Sequence, residues 1–191
     1  MFKKIVGATI LAAALFINPV TSEAKKDYIL EGPVFMKVNI HYQNNGKDSK
    51  ASYANYTNPG AGHRILAVNT PVQVKSWKRQ GFIIVNTETN EEIFFEYQEA
   101  RMQMTSEEYL NKITSPAKTD LSTLSEKDQK GIKEGIASNG MTKTGVMMAL
   151  GYPATHRTPS IESNTWVYWS NRFKTIAVTF DDKGVVTAIQ Q

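Results

Sequence analysis

The sequence predicts an α+β protein: a C-terminal unit of two helices packed on a three-stranded antiparallel sheet, preceded by an antiparallel β-rich unit. Three observations predict it. Residues 27–104 carry short runs of alternating or β-branched residues between turn signals. From Leu121 the apolar spacing becomes helical. From Thr165 onward the chain returns to strands, and a tight turn, Asp181-Asp182-Lys183-Gly184, joins the final two.

The chain opens on a segment that is not expected in the fold. Lys3 and Lys4 precede an uncharged, mostly apolar run, Ile5 to Ile17, which Asn18 and Pro19 break. Ser22-Glu23-Ala24 then presents small residues at the positions a signal peptidase reads. Residues 1–24 are therefore expected to be a cleaved export signal. The apolar run is short for a membrane span, which takes about 20 residues. The expected location is the periplasm, with secretion as the alternative. Of the 191 residues none is cysteine, which excludes disulfides, thiolate metal sites, a Cys nucleophile and a lipid-bearing Cys after the apolar run. No covalent membrane anchor is expected. The formal charge of +4 falls to about +3 without residues 1–24. Lys and Glu are interspersed, no basic block marks nucleic-acid binding, and no cofactor motif is present.

In the β-rich unit, residues 25–104, Val34, Met36, Val38 and Ile40 share one strand face. Ile65–Val68, Val72–Val74 and then Trp77 read as further strands. Phe82–Val85 and Ile93–Tyr97 form the clearest hairpin, through the polar turn 86–91. Gln43–Lys50 and Tyr56–His63 read as loops. Residues 105–120 are expected to be a short helix and a linker. Thr105 and Glu108 form a capping box for that helix, over about 106–113.

The C-terminal unit, 121–191, starts with a helix after Ser125. Ile132 and Ile136 are placed on one face, and Ser138-Asn139-Gly140 is the expected stop. Thr142 caps a second helix carrying Val146, Met147 and Leu150, which Gly151-Tyr152-Pro153 ends. Strands follow at 165–169, 175–180 and 185–189. Ile176, Val178 and Phe180 are expected on a buried face, with Thr175, Ala177 and Thr179 on a wet one.

The order Gly140-Met141-Thr142, Leu150-Gly151-Tyr152-Pro153, Trp166-Val167-Tyr168, and Phe180-Asp181 through Gly184-Val185-Val186 resembles the SmpA/OmlA (BamE) family. The resemblance covers about residues 125–190. It implies a small non-enzymatic envelope module, two helices on three strands, of the kind that assists outer-membrane protein assembly. The β-lactamase inhibitor proteins are similar in architecture. Three features depart from the family: there is no lipid-bearing Cys, Gly145 stands where a Glu or Gln often completes a capping box at Thr142, and the β-rich unit has no counterpart.

His41, His63 and His156 fall in separate loops or strand ends, and none has the i, i+4 partner of a helical zinc site. His63-Arg64 after a Gly-rich loop reads either as an anion cradle or as a plain loop. Glu91-Glu92 alternate faces and so do not converge on one substrate. Trp166, Tyr168 and Trp169 crowd one strand; one ring of the pair Tyr168 and Trp169 is expected to face water, or else to fold under the loop 154–163. Trp169, Arg172, Lys174, His156, Arg157 and Tyr168 are the candidate partner-binding residues, with another envelope protein as partner. The expected function is binding or scaffolding, without a catalytic residue. The alternatives are a cell-envelope hydrolase using His63 or His156 as base, and an inhibitor of a secreted enzyme.

Overall fold

The computed structural model describes residues 34–191; the expected export signal, residues 1–24, lies outside the described residues. The chain is mixed α+β as the sequence predicts, with two sheets and four helices among the described residues.

The first sheet contains β1 (Val34–Met36), β2 (Ile40–Asn44), β3 (Ser49–Ser52), β4 (His63–Leu66), β5 (Pro71–Lys78), β6 (Gly81–Asn86), β7 (Glu92–Glu96) and β8 (Thr114–Ser115). Their order is β4-β2-β3-β7-β6-β5-β1-β8, and only β3–β7 is parallel. β1 and β2 lie five strand spacings apart in that order, about 24 Å in a flat sheet. The chain from Met36 to Ile40 can bridge only about 14 Å. The sheet must therefore curl, and it wraps one core that includes Met36, Ile40, Phe82, Ile84, Ile93, Phe95 and Tyr97. The expected hairpin is β6–β7, with Phe82 opposite Phe95 and Ile84 opposite Ile93.

Two expectations in this region change. The predicted strand over 34–40 keeps its alternation, since Val34, Met36, Val38 and Ile40 are all buried. It breaks at 37–39: the Lys37 N–H still follows the β1–β8 register to Ile113 O, but the Asn39 N–H turns away to Met148 O, each at 2.8 Å. The predicted loop 43–50 shrinks to 45–48, since β2 runs on to Asn44 and β3 begins at Ser49. Ser-Lys-Ala-Ser has no apolar signature, yet Ser49 and Ala51 point inward between β2 and β7. The turn before it is set by Asn45 Oδ1, which accepts from the Lys47 and Asp48 N–H groups.

α1 (Glu99–Met102) and α2 (Ser106–Ile113) close the first core. The capping box is present: Thr105 Oγ1 accepts from Glu108 N–H at 3.1 Å, and Glu108 Oε2 accepts from Thr105 N–H at 2.8 Å. Tyr109, Leu110 and Ile113 are buried in the first core, and β8 pairs with β1.

α3 (Glu126–Glu134) and α4 (Lys143–Leu150) cover the second sheet, β11-β10-β9, formed by β9 (Thr165–Trp169), β10 (Thr175–Phe180) and β11 (Val186–Gln190). Trp166, Tyr168, Val178, Phe180 and Val186 face the helices with Met141, Val146 and Leu150. The Trp166 and Phe180 rings meet edge to face, centroids 4.8 Å apart. α3 stops at Gly135, in the left-handed region at φ 67°, and not at Gly140. Ile136 thus leaves the helix and is 48% exposed, whereas Ile132 is buried.

The capping box missing at Thr142 is completed from another helix. Asp128 of α3 accepts the Thr142 N–H at 2.8 Å, the bond a Glu at 145 would accept from within α4. A side chain at 145 would overlap the Asp128 carboxylate, so glycine there and the buried Asp128 form one device.

The two sheets are joined at the C-terminal end of α4, where helix carbonyls lack helical partners. The Asn39 N–H donates to Met148 O. Asn39 Nδ2 and His41 Nε2 donate to Ala149 O at 3.1 and 2.9 Å. Asn55 Nδ2 donates to Leu150 O. Three polar side chains of the β-rich unit thus cap a helix of the other unit. No helix among the described residues is long and apolar enough to cross a membrane.

Candidate functional site

The turn between β9 and β10 carries most of the candidate residues. Asn171 Oδ1 accepts from the Phe173 and Lys174 N–H groups, and Ser170 N–H donates to Lys174 O at 2.8 Å. These bonds fix the tip. On its flank, the Thr57 and Asn58 N–H groups donate to the Trp169 and Ser170 carbonyls at 2.9 and 2.8 Å. The β-rich unit therefore holds one side of the turn. The tip presents Arg172, Phe173 and Lys174. Phe173 is 85% exposed, the most exposed large apolar side chain among the described residues.

Trp169 is half-buried, and the Arg157 guanidinium lies over its ring, 5.5 Å from the centroid. Arg172 stands over the Phe173 ring at 5.8 Å. Neither arginine, nor Lys174, meets a carboxylate among the described residues. His156 lies against Tyr53, centroids 6.3 Å apart. Burial first, then the charges of Arg101 and Arg157, hold its pKa below the usual imidazole value. Tyr168 is placed differently from the other five. It is buried beneath the sheet, and its hydroxyl donates to Gly151 O at 3.2 Å. Adjacent strand residues point to opposite faces, so Trp169 outward requires Tyr168 inward. Phe173 was not legible as a site residue. The available signal was its place between Arg172 and Lys174 in a turn, where no strand face can bury it.

The wet face of the second sheet adjoins Trp169. Thr175 pairs with Trp169, Ala177 with Val167, and Thr179 with Thr165, so this face is built of small and β-branched residues.

The histidines fall into two places. His41 and His63 come together across β2 and β4, with His41 Nδ1 and His63 Nε2 2.9 Å apart. Ala149 O can only accept, so His41 carries its proton on Nε2. Its Nδ1 then accepts from His63 Nε2–H. Burial, partly opposed by the Ala149 hydrogen bond, lowers the His41 pKa to about 4, and burial lowers that of His63. The pair is a link in the joint between the units rather than an anion cradle. Of the adjacent carboxylates, Glu91 turns to Tyr42, Asn44 and Ser49, and Glu92 to Lys75. They do not converge. Among the described residues no three His, Asp or Glu side chains are grouped to hold a metal ion.

The order of elements from the turn before α4 to the last hairpin is the one the motifs require: Thr142 cap, Gly151 stop, inward Trp166 and Tyr168, and the Asp181–Gly184 turn. Residues 137–190 match the family model of the outer membrane protein assembly factor BamE domain. The BamE match takes in α4, all three strands of the second sheet and the whole candidate site except its contacts to the β-rich unit. α3, which supplies Asp128, precedes it. No curated protein and no solved structure matches the chain.

Proposed function

We propose that this chain is an exported, non-enzymatic binding module of the bacterial cell envelope, tied to outer-membrane protein assembly. It docks another envelope protein through the β9–β10 turn and the wet face beside it. One observation carries the reading. A fixed turn within the BamE match presents an exposed Phe173 and a half-buried Trp169 among three cations that lack carboxylate partners among the described residues. Aromatic and arginine side chains on a rigid support are the composition of a binding hot spot. The partner contacts are Trp169, Arg172, Phe173, Lys174 and Arg157, with His156 at the rim and Tyr168 as the support beneath. The family's named role in outer-membrane protein assembly, together with the expected export signal at 1–24, supports the envelope location. The division at about residue 120 is proposed as one of function: the β-rich unit braces, and the C-terminal unit binds.

Affinity capture from envelope extract, with mass spectrometry, names the partner. Arg172→Ala and Phe173→Ala, each with unchanged far-UV circular dichroism, are then expected to weaken its binding by about 2 kcal/mol, some thirtyfold. Undiminished capture by both variants contradicts the proposed surface.

A further inference from the structure

We infer that the outer edge of β4, with the groove between it and α3, accepts an extended acidic segment of a protein partner as an added strand. The Asn44 N–H donates to Gly62 O at 2.8 Å, so Asn44 directs its main-chain groups toward the β4 side of β2. Tyr42 and Ile40 share that direction by strand alternation, and they stand opposite Arg64 and Leu66. Ile65 and Ala67 consequently turn their main-chain groups away from the sheet. Thr70 N–H takes the Ala67 carbonyl at 3.1 Å. The Ile65 N–H, the Ile65 carbonyl and the Ala67 N–H take no partner among the described residues. β4 is the last strand on its side of the sheet. Unpaired strand edges of this kind are templates for an added strand.

The space outside this edge is shaped to receive one. A groove of about 800 Å³ runs between β4 and α3. Ile65, Val68, Leu121 and Ile132 give it an apolar floor for alternate side chains of the incoming strand. Lys130 and Lys133 stand on its rim with Glu134. Glu134 approaches Lys130 only at 4.0 Å, and Lys133 meets no carboxylate among the described residues. The rim is therefore net positive and complements acidic residues on the outward side of the strand. The groove exists only because the two units are joined, since β4 comes from one and α3 from the other. It is separate from the β9–β10 turn and does not depend on the function proposed for that turn.

The test uses the whole chain and a short fluorescein-labelled peptide alternating Val and Glu, read by fluorescence anisotropy. The same peptide with Lys for Glu, and one with two prolines, are the comparisons. The Glu peptide is expected to bind at least tenfold tighter than either. Ala67→Pro, which deletes an edge N–H at an exposed residue, is expected to cost at least tenfold. Lys130→Glu with Lys133→Glu is expected to reverse the preference toward the Lys peptide. That surface variant decides the matter should Ala67→Pro alter the circular dichroism. Arg172→Ala is expected to leave this binding unchanged. Equal binding of the three peptides, no binding, a preference unmoved by the charge reversal, or a chain dimer that Ala67→Pro dissolves would each overturn the inference.

Discussion

The two units differ in where their instructions lie. In the C-terminal unit, the cap, the helix stop, the paired inward aromatics and the final turn follow one another without interruption from Thr142 to Gly184. Local signals there mark the elements and their order. In the β-rich unit the strands are local but their partners are not. β3 pairs with β7, with Ser49 opposite Ile93, and β1 pairs with β8, with Phe35 opposite Ser115. Several strands intervene in the sequence between the members of each pair. What joins the units is a set of polar side chains, Asn39, His41 and Asn55, that cap a helix from the other unit. The BamE-like part is thus built into a larger frame, and its β9–β10 turn is held by that frame.

If the joint matters as much as this, breaking it should cost more than any change on the surface. Asn39 is fully buried, donates to Ile132 O and Ala149 O, and accepts from Val68 N–H. Asn39→Ala orphans the Val68 N–H and takes one of two donors from Ile132 O and Ala149 O, which keep Gly135 N–H and His41 Nε2; it is expected to cost about 3 kcal/mol, read as a fall in the urea midpoint. Acid should act on the same joint. The folded pKa of His41, about 4, lies below its ordinary value of 6.5. Between those values the unfolded chain binds more protons, so stability is full above about pH 6.5 and declines as pH falls toward 4. A shift of this size is worth about 3 kcal/mol. Urea midpoints at pH 7 and 4.5 should show the loss, and His41→Gln should lessen it. Within the C-terminal unit, Asp128→Ala removes the acceptor of the Thr142 N–H and is expected to cost about 2 kcal/mol. Adding Gly145→Glu should not restore it, because the Cβ of residue 128 still lies 2.8 Å from where a Cβ at 145 would stand; thermal melts of the single and double variants measure the difference.

Much of this was legible in the residues. Thr105 with Glu108 announced α2, and the alternation of Val34, Met36, Val38 and Ile40 survived a break in the strand itself. Gly145 marked the absent capping box but not the Asp128 that replaces it, because that partner lies on the preceding helix, beyond the reach of a local pattern. The stop of α3 was misplaced for a related reason. Gly135 and Gly140 both adopt positive φ, and either can end a helix. The packing of Ile65 against Gly135 is a tertiary contact with no local signature. His41 and His63 looked unrelated until β2 and β4 paired. Arg157, Trp169 and Arg172 were legible as interface types. The burial of Tyr168 follows from strand parity once Trp169 is known to face out.

The most direct test of the joined architecture is the folding of residues 121–191 alone. This segment contains the BamE match, Asp128 and both helices, but loses Asn39, His41, Asn55 and the main-chain clamp at Thr57 and Asn58. The near-UV circular dichroism of Trp166, Tyr168 and Trp169 should be largely absent, with no cooperative melt, while the whole chain shows both. A fragment that melts cooperatively with the native near-UV signature would contradict the claim that the β-rich unit holds the C-terminal unit together.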